Sequence, residues 1–512
     1  MRTEAVVIGD GPLSAAEVVA VARHGAPVRL HPEAIRRMER ARDVVESRIG
    51  EERPVYGITT GFGALADIRI GPQDLDRLQR NLIRSHAAGA GELLDPEVVR
   101  AIMLLRARAL SAGYSGVRPA VVERLLDLLN HAIVPAVPSR GSVGASGDLA
   151  QLAHVALCLL GEGRVRSAGS TAPAEEALRR AGLEPMALGA KEGLSLVNGT
   201  EGMLALGILA HHDAALLLRT ADVTAAMTIE AALGTDRPFA EDLIALRPHP
   251  GQASSAANIR RLLEGSPITA SHRDSAHAVQ DPYSMRCAPQ VHGAARDAHA
   301  FVGQTLEREA ASVVDNPVVL PDGRVESTGN FHGEPLAYAL DLLALALAGL
   351  ANISERRTYW LLGVGADRGL PAFLSTEPGL GSGYMLAQYT QAALVSECKL
   401  LAQPAGADSI PTSGAQEDHV SMGWLSGMKA RDVVGRVRTV LAVEGVCAAQ
   451  ALDLRSPLEP ARGTGASKAV LRKAVPKLEH DREVAADLAA AETLVAEGTL
   501  VAGAEDAVGA LS

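Results

Sequence analysis

A mainly α protein, built as a bundle of long helices with a smaller N-terminal region, is the fold that this chain encodes. Three observations carry that reading. Long apolar stretches rich in Ala and Leu recur, and Asn198 to Leu233 runs without a single Pro. Strand-like segments are few and short. Aromatic residues make up 3% of a chain that is 47% hydrophobic, so Ala, Leu and Val must fill the core through close contacts between elements.

The elements follow in order. Glu4 to Ile8 reads as a strand, naturally used in a short N-terminal hairpin. Residues 31–50 place charges at helical spacing and close on Gly50. Helices are expected over 73–89, Val121 to Leu129 and Leu149 to Leu160, with a second short strand at Arg164 to Arg166. The long helices are expected over Asn198 to Leu233, Leu336 to Leu362, Met385 to Leu401 and Lys429 to Leu452. An acidic, Ala-rich tail from Arg482 reads as a surface helix. Two regions result, 1–200 and 201–512, the second holding the long-helix bundle and a C-terminal helical part.

Bulk properties narrow the function. The 512 residues carry a net charge of -11, which argues against a nucleic-acid partner. Cys158, Cys287, Cys398 and Cys447 show no CxxC spacing and read as reduced thiols. The 15 histidines contain no HExxH, and the Gly-rich loops lack phosphate-binding fingerprints, so neither metal nor nucleotide is expected. MRTEAVVIGDG has no long apolar core after its basic residue, so no signal peptide is expected. The run Leu336 to Ala351 is interrupted by Asp341 and reads as a buried helix rather than a membrane span. The expectation is a cytoplasmic protein with no membrane partner.

Gly-rich loops break the helices at 56–63, 140–148, 328–335 and 377–384. Loops of this kind on a rigid scaffold are where chemistry sits. Ala145-Ser146-Gly147, followed by Asp148 and an apolar helix, has a plain reading: Ser146 or Asp148 caps the helix and Gly147 eases its entry. Its surroundings add another. GSVGASGDLAQLAH resembles the loop of the aromatic amino acid ammonia-lyase family. In that family the Gly amide attacks the Ala carbonyl, two waters leave, and a methylidene-imidazolone ring (MIO) forms. Gly147, having no Cβ, suits the close approach of its nitrogen to the Ala145 carbonyl. Ser146 supplies the hydroxyl that leaves. A helix beginning at Asp148 would turn its positive end toward the ring.

The resemblance runs from about residue 10 to 490 through well-separated motifs in the family's order. It implies an ammonia-lyase-like fold with the MIO loop in the N-terminal region. In PVYGITTGFG, Tyr56 matches the family's catalytic tyrosine, implying a base for a weakly acidic β-proton, as a phenolate formed in a dry, polarised site. In RNLIRSHAAGAG, His86 matches the selectivity position, where His serves an imidazole or a phenol. In EGLSLVNGTEGM, Asn198 matches an asparagine at the ring carbonyl and the substrate carboxylate, and also reads as the N-cap of the long helix. In VQDPYSMRCAPQVHG, Gln280 and Tyr283 match site residues, and Arg286 matches the arginine that pairs with the substrate carboxylate. In TGNFHGEP, Phe331 matches a ring near MIO, with Asn330 beside it.

SGAQEDHVSM is the most informative motif. Glu417 stands where the phenylalanine and tyrosine enzymes carry no carboxylate; it can accept an imidazole N–H, and a phenyl ring would gain nothing from it. The resemblance therefore implies removal of ammonia from L-histidine to give trans-urocanate, with Tyr56 and Tyr283 contributed by different chains of a homotetramer. A tyrosine ammonia-lyase or an MIO-dependent aminomutase is the alternative, and a non-catalytic homologue is a further one. The chain departs from the family pattern at Thr59, Ser195, Thr328, Gly406, Ala407, Gly414 and Ala415, and the changes near Glu417 are expected to loosen its pocket wall.

Overall fold

The computed structural model describes residues 4–49, 51, 54–167, 169–275, 277–363 and 368–512. Among them the chain forms two compact units. The first takes the chain up to Leu209, together with Gly303–Asp341 and Pro404–Met428. The second takes Ala210–Val302, Leu342–Gln403 and Lys429–Ser512. The units are thus interleaved in sequence rather than sequential.

The first unit opens with strand Val6–Ile8, which pairs with Val28–Leu30 in parallel. The N-terminal hairpin expected from the sequence is not formed. The reason is local: helix Ala15–His24 intervenes, and it has strong ends. Ser14 and Glu17 form a reciprocal capping box, and Gly25 closes the helix at φ 67°. A helical crossover imposes parallel pairing, whereas a tight turn would allow a hairpin. Helices Pro32–Arg48, Leu75–His86, Pro96–Ser111, Pro119–Asn130 and Leu149–Leu159 complete the frame. Four of the residues 121–129 that the sequence marks as apolar, Val121, Val122, Leu125 and Leu128, are wholly buried. Arg164–Ser167 is a strand, as expected, and it pairs antiparallel with Ser170–Pro173.

The second unit holds most of the long-helix residues, including Met385–Leu401, whose bounds match the sequence reading. The apolar run at Leu336 is the first half of helix Glu334–Leu362. That helix and Glu201–Ala231 are long and apolar enough to cross a membrane, yet 61% and 72% of their most apolar windows are buried. The tail forms two helices, Val484–Ala496 and Thr499–Val508, broken at Gly498 with φ 74°. It is not a surface helix: Ala491, Val495, Leu500, Val501 and Ala504 are all buried, because the Ala-rich face packs closely.

Two buried carboxylates tie the second unit together. Glu444 accepts from Arg357, Thr224, Thr228 and Ser354. Asp222 accepts from His292, Arg296, Ser255 and Asn258. A charge buried this deeply is tolerated only when its lone pairs are met, and here they are. All four cysteines are free thiols, three of them buried.

Candidate active site

The loop at 142–148 is strained and held from several sides. Ser146 lies at φ 51°, a left-handed conformation that costs a non-Gly residue about 1–2 kcal/mol. Gly147 follows at φ 72°, and a Cβ there would fall 1.8 Å from the Gly199 carbonyl oxygen. Only glycine fits. Residues 147 and 199 form a bridge, and the Asp148 N–H donates to Gly199 O at 2.8 Å. From the other side, Ser421 Oγ and the Gly333 N–H both donate to Gly144 O. Strain that the surroundings over-determine in this way is a mark of a functional loop.

Asp148 is wholly buried, and it does not cap the helix that follows it. Its Oδ2 accepts from the Met203 N–H at 2.8 Å and its Oδ1 from Ser142 Oγ at 2.8 Å. The carboxylate thus anchors the loop to the start of helix Glu201–Ala231. Burial pushes its pKa up to about 7, against the pull of those hydrogen bonds. Helix Leu149–Leu159 then points its N-terminus at the loop, as the sequence implies.

Ala145 and Ser146 line a cavity of about 530 Å³, within the usual range for a small-molecule site. Tyr56, Asn316, Phe331 and Glu417 line it as well. Glu417 Oε1 accepts from Ser146 Oγ at 3.5 Å, while Oε2 accepts from Thr412 Oγ1 at 2.7 Å. Thr412 also pairs with Glu417 through the backbone, so the carboxylate is aimed by its own turn. That turn holds Ser413, Gly414 and Ala415 at positive φ. Gly414 has no crowded neighbour, but a Cβ at Gly63 would come 2.6 Å from Ser413 Oγ. The two loops therefore touch closely. Gly406 is no gap either: a Cβ there would meet Ala337 at 3.0 Å and Tyr338 at 3.2 Å. The expected loosening of the wall does not occur at Gly406, because neighbouring side chains already fill the space.

Tyr56 Oη accepts from the Gly63 N–H at 3.4 Å. Burial raises the Tyr56 pKa above its usual value, and the charges of Glu417 and Asp315 add to the rise. His86 ends helix Leu75–His86, with Ser85 Oγ 3.1 Å from its Nδ1. Burial lowers its pKa, and Glu417 opposes this, so the two groups sense each other.

Asn198 is buried and terminates helix Glu192–Val197; it does not cap the long helix as expected. Its Nδ2 donates to Asp315 Oδ1 at 3.2 Å and to Asn316 O at 2.9 Å. Asp315 Oδ2 in turn accepts from Lys191 Nζ and from Ser195 Oγ, each at 2.8 Å. The unusual Ser195 thus belongs to a buried clamp behind Asn198. Asp315 and Lys191 carry no motif of their own; Asp315 is far from Asn198 in sequence, and the role of nearby Lys191 depends on it. Asn330 donates its side chain to Val313 O at 3.3 Å, and Thr328 Oγ1 accepts from its backbone N–H.

Gln280, Tyr283 and Arg286 belong to the second unit and are not among the residues lining the Ser146 cavity. Tyr283 is 71% exposed, and the Arg286 guanidinium lies 4.6 Å over its ring. Arg286 Nε is buried without a partner among the described residues. Gln280 lines a separate cavity of about 230 Å³ with His272 and Asp281.

Solved structures with this architecture include ammonia-lyases and aminomutases. Histidine ammonia-lyase from Trypanosoma cruzi superposes with a TM-score of 0.90 at 40% identity, covering 98% of this chain and 96% of that one. Tyrosine aminomutase from Streptomyces globisporus reaches 0.95 at 35% identity, covering 99% and 100%. The fold and the constrained loop thus define a mainly α carbon–nitrogen lyase of the ammonia-lyase type. The aromatic amino acid lyase family model matches residues 13–473, and the chain belongs to that family. Among curated relatives, histidine ammonia-lyase of Streptomyces coelicolor is 52% identical over 508 residues, 99% of each chain. That of Gloeobacter violaceus is 51% identical over 512 residues, 100% of this chain and 99% of the relative.

Proposed function

We propose that the chain is a histidine ammonia-lyase that converts L-histidine to trans-urocanate and ammonia. The observation that carries the substrate is Glu417, whose carboxylate faces Ser146 across a cavity that also holds Tyr56. The relatives named above supply independent support, since full-length curated histidine ammonia-lyases are about half identical to it.

The residues at 145–147 fit a methylidene-imidazolone. Gly147 is required by the 1.8 Å clearance, and Ser146 is already turned into the left-handed region. The Asp148 anchor holds the loop from behind. Formed from Ala145-Ser146-Gly147, the ring would supply an electrophilic methylene to the substrate amine. The chain's own groups do the rest. Glu417 accepts the imidazole N–H, and His86 supports the ring beside it. Arg286 takes the carboxylate in two-point fashion. Phe331 packs beside the reacting carbons. Tyr56 Oη takes the β-proton in its ionised form; burial disfavours that form, and a positive charge on the bound substrate favours it.

Gln280, Tyr283 and Arg286 come to this site from other copies in a homotetramer. The high exposure of Tyr283 and the unpartnered Arg286 Nε support that reading. The working protein is then a cytoplasmic tetramer with a small-molecule substrate and neither nucleic-acid nor membrane partner. Intact-mass measurement tests the ring. The chain should be lighter than its sequence by two waters, and Gly147→Ala should restore the full sequence mass. A natural chain at full sequence mass would overturn the mechanism.

A further inference from the structure

At the rim of the same cavity stands a cluster that the reaction does not use. His332 and Glu334 lie at the start of helix Glu334–Leu362, and His419 lies two residues beyond Glu417. Glu334 Oε2 is 3.9 Å from His332 Nδ1 and 3.9 Å from His419 Nε2. One donor atom from each residue falls within 4.8 Å of the others. Sequence spacing hid the set, because its members come from two distant segments.

Three details point to a ligand. His332 Nε2 lies 3.2 Å from the His419 carbonyl oxygen, so that nitrogen carries the proton and donates. In a neutral ring Nδ1 is then bare and faces the carboxylate. This is the way metal-bound histidines are oriented, with the outer nitrogen donating to a carbonyl. Glu334 Oε2 is buried with no hydrogen-bond partner among the described residues, a costly state for a carboxylate oxygen. The 3.9 Å gaps are too long for N–H···O bonds, which span about 2.7–3.2 Å. An ion held tetrahedrally by bonds of about 2.0–2.2 Å sets its ligand atoms about 3.3–3.6 Å apart, so small inward turns of the side chains would close the three donors on one.

We propose that His332, Glu334 and His419 bind a divalent cation of the zinc class. Two imidazoles and one carboxylate select zinc over magnesium or calcium, which prefer all-oxygen shells. Three protein ligands leave a fourth position for water. Both histidines line the cavity, so the ion would sit at its rim and tie the segment carrying Glu417 to the start of helix Glu334–Leu362. Binding does not depend on the substrate assigned above.

The test is calorimetric titration of the full-length, tag-free protein with zinc. One zinc per chain is expected. Glu334→Gln and His419→Ala should each weaken it by more than about 100-fold, beyond what losing an outer-shell partner costs. Cobalt supplies a reading on the natural sequence alone. Its visible spectrum should show the intense bands of a four-coordinate site, and zinc should erase them. An absence of stoichiometric binding, variants that bind zinc as tightly as the natural chain, or only the weak spectrum of hydrated cobalt would overturn the proposal.

Discussion

In the proposed function Glu417 is the group that separates an imidazole pocket from a phenol pocket, and its carboxylate is aimed by its own turn. Thr412 holds one carboxylate oxygen and leaves the other directed at Ser146. A hydrogen bond to a charged group contributes about 1.5–3 kcal/mol, which is about 10- to 100-fold in rate. Glu417→Gln should therefore lower kcat/KM for histidine by at least that factor and spare any tyrosine turnover. Unchanged histidine turnover would remove Glu417 from the pocket. The same variant reports on Tyr56. The Glu417 charge raises the Tyr56 pKa, so removing it should lower that pKa. The alkaline rise of kcat/KM should begin at lower pH in Glu417→Gln, and a pH profile of the residual activity checks it. Tyr56, Phe331 and Glu417 were legible in sequence because each sits in a short, distinctive motif. Asp315, Lys191 and Thr412 were not. Their roles arise from hydrogen bonds between distant segments or from a turn whose geometry the residue types alone do not specify.

Helices and strands show where local pattern suffices. Met385–Leu401 was readable to the residue because its apolar run has clear ends. The first strand was found but mispaired, since pairing depends on the helix that follows it and not on the strand itself. The Ala-rich tail misled for a related reason. Small residues look neutral in sequence yet bury well when helices approach closely. Asp148 joins two elements, helix Leu149–Leu159 and the start of Glu201–Ala231, through one buried carboxylate. Its pKa rises from 3.8 to about 7, so within that window the folded state holds a proton that the unfolded state has released. Stability is therefore fullest below the lower value and falls as pH rises toward the upper one, by at most about 1.4 kcal/mol per pH unit. Asp148→Asn cannot titrate and should flatten that slope in urea denaturation followed from pH 4 to 7. An identical slope in both proteins would show that Asp148 does not titrate there.

The full chain and its copies pose the last question. The family resemblance implies one active site to which different chains contribute Tyr56 and Tyr283; within one chain they fall in different compact units, and Tyr283 is largely exposed. An assembly that brings Tyr283 of one copy to Ser146 of another accounts for both facts. Ser146→Ala and Tyr283→Phe should each be inactive alone. Co-expressed, they should regain activity, because mixed tetramers contain some sites with both natural residues. Activity no greater than the sum of the two variants would place the whole site in one chain.

The assignment as a whole rests on what the cavity deaminates. An ultraviolet progress curve with L-histidine, run beside L-tyrosine and L-phenylalanine, decides it. Growth of urocanate absorbance with histidine alone is the expected result. Turnover of tyrosine with none of histidine would keep the lyase chemistry and contradict the role given to Glu417.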